Sequence, residues 1–255
     1  MRRSGLQNRQ ALAWLSCLLV VLSGQALAAA GLTAEEIIAR VDANSDVQSS
    51  HGYSTMVIRT GRRELTKEME IWSSGDNALV SFHNPADRGT KYLKLGNELW
   101  MYFPDADDLV KISGHMLRQG FMGSDFSYED TLENRRLTDL YEFSLLGVEE
   151  CDESECYVLE ATARPGVEVT YARRRMWIDR ELFVPRREEL YAAGGRLLKV
   201  SRVERIEEID GRFIPTQVTM EDVLRQGSST TLFVSDLELD VEIPDDLFSL
   251  RSLMR

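Results

Sequence analysis

The sequence predicts a mainly β protein of the α+β class, built on one curved antiparallel sheet of about eleven strands with helices packed to one face. Three observations carry that prediction. Apolar and polar residues alternate with period two from Tyr53 to Phe103 and again from Tyr157 to Val241. Turn signals separate the alternating runs: Gly61-Arg62, Ser74-Gly75-Asp76-Asn77, Gly96-Asn97, Arg164-Pro165-Gly166, Gly194-Gly195, Asp210-Gly211 and Gln226-Gly227. Several runs exceed the length of an average strand, which suits a strongly curved sheet or partial barrel.

The first 28 residues stand apart from this pattern. Arg2, Arg3 and Arg9 precede an apolar stretch from Ala11 to Leu22, and Ala26-Leu27-Ala28 forms a small-x-small cleavage site. That is the pattern of a Sec signal peptide cleaved near Ala28 to Ala30, and it predicts a periplasmic mature domain over 29–255. The apolar stretch is too short for a stable transmembrane helix. Cleavage removes three basic residues and no acid, so the net charge of −12 becomes −15. Such a balance argues against nucleic acid, whose affinity rests on phosphate neutralisation. It favours a soluble, self-repelling monomer.

Thr33-Ala34-Glu35-Glu36 reads as a capping box opening a helix to Val41, with Leu32, Ile37, Ile38 and Val41 on its apolar side. Strands are expected over 53–60, 64–73, 78–83, 91–95 and 99–103. Pro104 and an acidic turn of Asp105, Asp107 and Asp108 then lead to a short strand over 109–112. The pattern leaves Thr138 to Val148 open between a strand and an irregular segment. Strands resume over 157–163, 167–179, 182–192, 196–209, 212–222 and 229–241. Arg173-Arg174-Arg175 reads as a row pairing across strands with Glu188 and Glu189. Cys151 and Cys156, five residues apart in an exported chain, predict one disulfide. A zinc site would need further Cys or His ligands nearby.

Between the two sets of strands, His115 to Phe126 carries Met116, Leu117, Phe121, Met122 and Phe126, with Arg118 and Asp125 as its only formal charges. Loops normally lie on the surface and are polar. One this apolar must bury itself, cover something or bind something. It closes on a helix start over Ser124 to Asp130, where Ser127 and Asp130 fit S-x-x-D capping. Glu129 and Asp130 therefore read as acids favoured at a helix N-terminus rather than as a catalytic pair. The chain has no nucleophile elbow, P-loop, dinucleotide fingerprint or H-E-x-x-H. His51, His83 and His115 are scattered, so no metal, cofactor or catalytic set is readable and the expectation is a protein that is not an enzyme.

Several strings fall in an order that resembles the outer-membrane lipoprotein-sorting, LolA-like family. They are NPADRGTKYL at 84–93, LWMYFP followed by ISGHMLRQGFMGSDFSYED, CYVLEA at 156–161, the strand with Trp177 and Asp179, and IPDDLFSLRSL from Ile243. Gly123, Ser124, Asp125, Tyr128 and Asp130 belong to the motif of this branch and not to the lipoprotein carrier's own machinery. The resemblance implies a LolA/LolB-like incomplete antiparallel β-barrel whose open concave side is covered by helices. It implies a carrier that binds lipid or lipoprotein acyl chains for transfer toward the outer membrane. An inner-membrane transporter of the RND type is the second partner it implies. The expected cavity lining is Trp72, Trp100, Tyr102 and Trp177 from strands, with Met116, Leu117, Phe121, Met122 and Phe126 from a lid loop. Ordinary core packing is the competing reading for each single residue.

Overall fold

The computed structural model describes residues 31–151, 154–244 and 246–254. The signal-peptide reading over 1–28 lies outside the described residues. Helix α1, Ala34–Ser45, opens on the expected capping box: Glu36 N donates to Thr33 Oγ1 at 3.2 Å, and Thr33 N donates to Glu36 Oε2 at 2.8 Å. The helix runs a turn past Val41 because tertiary ties hold its end. Asp42 accepts from the backbone N–H of Leu137 and from the Thr138 hydroxyl, and Asn44 donates to the Leu182 carbonyl at 2.8 Å.

Thirteen strands follow: β1 Ser49–Thr60, β2 Arg63–Ser74, β3 Asn77–Phe82, β4 Lys91–Leu95, β5 Glu98–Phe103, β6 Asp108–Ile112, β7 Tyr141–Cys151, β8 Ser154–Ala163, β9 Arg173–Asp179, β10 Pro185–Tyr191, β11 Leu197–Ile209, β12 Arg212–Asp222 and β13 Ser228–Leu239. They form one open antiparallel sheet in the spatial order β6-β5-β4-β3-β2-β1-β13-β12-β11-β10-β9-β8-β7. The chain meanders outward from β1 to one edge at β6. It crosses to the other edge at β7 and meanders back until β13 pairs with β1, with Met56 opposite Leu232.

The expectation of about eleven strands was low. The ambiguous run over 138–148 holds most of strand β7, whose alternation is broken by a register shift between Leu145 and Gly147. Two long strands were overextended. β9 begins at Arg173, not Val167. β10 begins at Pro185 because Asp179 Oδ1 accepts from the N–H groups of Glu181 and Leu182, and Phe183 takes a positive φ of 52°. The helices are also fewer than a helical cover of the open side requires. Among the described residues the helices beyond α1 are α2 Tyr128–Leu132, α3 Leu137–Leu140 and α4 Leu250–Leu253, with 3-10 turns at Gly114–Arg118 and Phe121–Gly123. Among the described residues no helix is long and apolar enough to cross a membrane.

Strand alternation sorts the side chains onto two faces. On the inner face, Met56, Met69, Phe82, Tyr92, Leu99 and Met101 pack together with Phe121 of the crossing segment. Farther round, Leu159, Met176 and Ile178 pack under Ile37, Ile38 and Val41 of α1. On the outer face, Leu247, Phe248, Leu250 and Leu253 cover Trp72, Leu79, Leu93, Trp100 and Tyr102. Cys151 and Cys156 are disulfide-bonded and pack with Val158 and Trp177. The arginine row pairs partly as expected. Arg174 lies 3.6 Å from Glu188, while Arg173 and Arg175 reach Glu160 and Glu149 instead.

Candidate functional site

Residues 113–140 connect the two edges of the sheet and run across its inner face. Strands from both halves meet this one short segment, so the sheet must curl around it. The segment has its own backbone logic. Gly120 and Ser127 form an isolated antiparallel bridge, and Phe121 N donates to the Phe126 carbonyl at 2.7 Å. The reversal between them places Met122 at φ 50° and Gly123 at φ 84°. A Cβ on Gly120 would stand 2.2 Å from the Ser124 carbonyl oxygen, so only glycine fits that close approach. Ser127 then caps α2, donating from its N–H to Asp130 Oδ2 at 2.6 Å while its hydroxyl accepts from Asp130 N.

Phe121, Met116, Leu117, Met122, Tyr128 and Leu132 of the segment pack into the first half of the sheet. Phe121 is 7 % exposed, and its ring lies 5.2 Å from that of Tyr92 and 5.6 Å from that of Tyr128, edge to face. Met116, Leu117 and Met122 are partly buried around it. Phe126 turns the other way and packs on Tyr171, Leu190 and Met220 of the second half.

Two acids fasten the segment to the sheet. Asp125 is buried and accepts from the hydroxyls of Ser228 and Thr230 on β13, each at 2.6 Å. Its own N–H donates to Thr230 Oγ1, and Arg225 approaches its carboxylate at 3.4 Å while donating to the Ser124 carbonyl. Asp130 accepts from the Tyr171 hydroxyl at 2.6 Å and from Lys199 of β11 at 2.7 Å. Burial pushes the Asp130 carboxyl upward. The Lys199 charge and the hydrogen bonds from Lys199, Tyr171 and Ser127 outweigh it and hold the group below its ordinary value. Burial, then the Asp130 charge, pushes the Tyr171 phenol far above its ordinary value, so it stays a neutral donor.

Beside this second fastening an open groove of about 920 Å³ runs between residues 117–135 of the segment and the loop over 163–172. Leu117, Leu132, Val169 and Leu198 form its apolar wall, and Arg118, Glu129, Glu133 and Arg135 its charged rim. A smaller pocket of about 270 Å³ lies under α1, between Val41, Val203, Val218 and the Arg174–Glu188 pair. The arrangement offers apolar sheet surface beneath the crossing segment and an open groove beside it. Among the described residues no three His, Cys, Asp or Glu side chains are placed to share a metal ion.

Comparison with known proteins places this architecture. A family model described as "Uncharacterized protein" matches residues 74–255. The crystal structure of a DUF1329 family protein from Desulfovibrio piger is 32% identical, covers 86% of this chain and 97% of its own, and superposes with a TM-score of 0.78. A domain from Vibrio parahaemolyticus described as an outer membrane lipoprotein-sorting protein domain is 25% identical, with a TM-score of 0.76 over 87% of this chain and 98% of its own. A LolA superfamily protein from Nitrosomonas europaea is 28% identical, with a TM-score of 0.71 over 87% of this chain and 99% of its own. The chain belongs to the LolA-like outer-membrane lipoprotein-sorting family. No curated protein sequence matches it at comparable significance.

In this LolA-like chain the nine residues expected to line one cavity do not come together. Met116, Leu117, Phe121 and Met122 share the inner face of the first half, and Phe126 that of the second. Trp72, Trp100 and Tyr102 lie on the outer face under the C-terminal residues. Trp177 is also on the outer side of its strand, donating to Glu149 at 2.8 Å. Strand parity separates them: Leu99 and Met101 of β5 face inward, so Trp100 and Tyr102 between them cannot. The motif residues Gly123, Ser124, Asp125, Tyr128 and Asp130 do come together, as the turn and its two fastenings. Their partners Lys199, Tyr171, Arg225, Ser228 and Thr230 carry no local signal, because each is brought in from a distant strand or loop.

Asp125→Ala removes the acceptor for two hydroxyls on β13. It is expected to lower stability by about 2–3 kcal/mol, the range for stranding buried donors. Amide exchange over 119–127 should rise selectively. Unchanged exchange there would show that Asp125 does not hold the segment.

Proposed function

We propose that this protein is a periplasmic, non-enzymatic carrier that takes up an acyl chain of a lipid or lipoprotein against the inner face of its sheet, for transfer toward the outer membrane. Cleavage of the first 28 residues belongs to this reading. The observation that supports it best is the crossing segment: an apolar cover that lies on an apolar sheet face, with two carboxylates among its ties to the strands. Membership of the LolA-like family points the same way.

Magnitudes make exchange of cover for cargo reasonable. Exposing an acyl chain of about fifteen methylenes to water costs about 12 kcal/mol, at roughly 0.8 kcal/mol each. Burying a Phe, Met or Leu side chain is worth about 1.5–3 kcal/mol. An acyl chain can therefore compete with Met116, Leu117, Phe121 and Met122 for the same surface, entering by the groove that Leu117 borders.

Native mass spectrometry of the protein purified from the periplasm, followed by lipid extraction, tests this. The expected result is bound phospholipid or acylated peptide, increased in a chain carrying Leu117→Ser and Met122→Ser, whose weakened cover competes less for the sheet face. A chain that is folded, empty and blind to a hydrophobic dye would overturn the carrier reading. It would support instead a non-catalytic accessory subunit docking on an RND-type inner-membrane transporter.

A further inference from the structure

The pocket under α1 holds a charged pair that neither fastening of the crossing segment uses. Glu188 of β10 stands opposite Met176 of β9 and Ser201 of β11, and Met176 packs under α1, so this row faces inward. Val41, Leu137, Val203 and Val218 give the pocket apolar walls, and Arg174, Glu188 and Ser201 its polar lining. The Arg174 and Glu188 side chains are only 13 % and 20 % exposed, and their closest approach is 3.6 Å, beyond hydrogen-bond length. Arg174 Nε donates instead to the Tyr141 hydroxyl at 3.1 Å, which donates onward to the Tyr171 carbonyl. Glu188 Oε1 is buried and has no hydrogen-bond partner among the described residues. A buried carboxylate oxygen is costly without a donor, so whatever fills this pocket must bring one. Two further arginines border the pocket but are engaged elsewhere. Arg186 donates twice to Asp179, and Arg187 pairs with Glu189 and lies over the Trp177 ring on the outer side. The pocket therefore sets one cation against one anion.

We propose that this pocket binds the polar end of an uncharged amphiphile that donates a hydrogen bond to Glu188 and accepts one from Arg174. A secondary amide at the root of an N-acyl chain does both, and so does an alcohol. An ester only accepts, and leaves Glu188 unmet. A free carboxylate is repelled by Glu188 and an ammonium group by Arg174. At about 270 Å³ the pocket is smaller than sites that enclose a whole drug-sized ligand, so it grips a head and its first few carbons. It lies on the second half of the sheet, apart from the surface that the carrier reading gives to an acyl chain. The two readings therefore stand or fall separately.

The test titrates the purified protein with N-methyloctanamide, 1-octanol, methyl octanoate and octanoate, following backbone amide chemical shifts. N-Methyloctanamide is expected to bind at least tenfold more tightly than methyl octanoate and to shift Ser201, Val203 and Val218. Sites built to hydrogen-bond a ligand N–H or O–H reject the analogue that lacks it. Tighter binding of 1-octanol than of either would keep the requirement for a donor and an acceptor and name a hydroxyl as their source. Val218→Phe, which narrows the pocket and leaves both charges in place, should weaken the amide at least tenfold. Glu188→Gln removes the repulsion of anions, and octanoate is expected to bind this variant at least tenfold more tightly than wild type. Should Glu188→Gln fail to fold, the probe comparison on wild type and Val218→Phe still decides. Equal binding of amide and ester, shifts confined to other residues, or no binding at all would overturn the proposal.

Discussion

Phe121→Ala is expected to lower stability by about 3–5 kcal/mol, the cost of emptying a well-packed aromatic site. Its ring is nearly enclosed, with Phe82 at 6.0 Å, Tyr92 at 5.2 Å and Tyr128 at 5.6 Å between centroids. A residue in an ordinary surface loop would change stability by less than about 0.5 kcal/mol. The urea midpoint therefore separates a segment that is core from one that merely crosses the surface. The loss has a second consequence. Phe121 sits in the turn between the Gly120–Ser127 bridge and Asp125, so losing its packing should loosen the whole crossing segment. Hydrophobic-dye binding is expected to rise at denaturant concentrations where β1 and β2 remain protected from exchange. A variant that unfolds in one step with the sheet, and never binds dye first, would show that the segment cannot open by itself.

That behaviour turns on features the sequence revealed unevenly. The turns at Gly61, Gly75, Gly96 and Gly211 mark real hairpins, because each is a local backbone necessity at positive φ. The capping boxes at Thr33 and Ser127 were readable for the same reason: donor and acceptor lie three residues apart. The apolar loop was readable as something buried, since five large side chains cannot all face water. Which surface it covers was not readable, because that depends on β6 and β7 being opposite edges of one sheet. The aromatic residues Trp72, Trp100 and Tyr102 drew attention by size. The parity that turns them outward follows from pairing register, which an isolated strand does not encode. β7 was hard to assign because an edge strand, exposed on both faces and interrupted at Gly147, need not alternate.

Asp130 carries the other large expected effect, and its sign depends on pH. Asp130→Asn leaves Lys199, whose side chain is 12 % exposed, without its counter-charge. Breaking a buried pair from one side costs about 3–5 kcal/mol, whereas removing both charges can be nearly neutral. Asp130→Asn is therefore expected to be strongly destabilising at pH 7, and adding Lys199→Met should recover most of the loss. The wild-type carboxyl is held below its ordinary value of 3.8 in the folded state. A depressed folded value means that its contribution is full above the unfolded value and is lost as pH falls through 3.8 toward the folded one. Urea midpoints of wild type and Asp130→Asn, followed from pH 7 down to about pH 2.5, should differ by a constant amount above about pH 5. Below that the two curves should converge. A gap that persists to the lowest pH would assign the stabilisation to packing and neutral hydrogen bonds rather than to the Asp130–Lys199 charge pair. Acid would then leave the second fastening of the segment intact. Convergence would instead make this fastening the one that acid releases, with the Tyr171 hydroxyl left as Asp130's remaining tie to the second half.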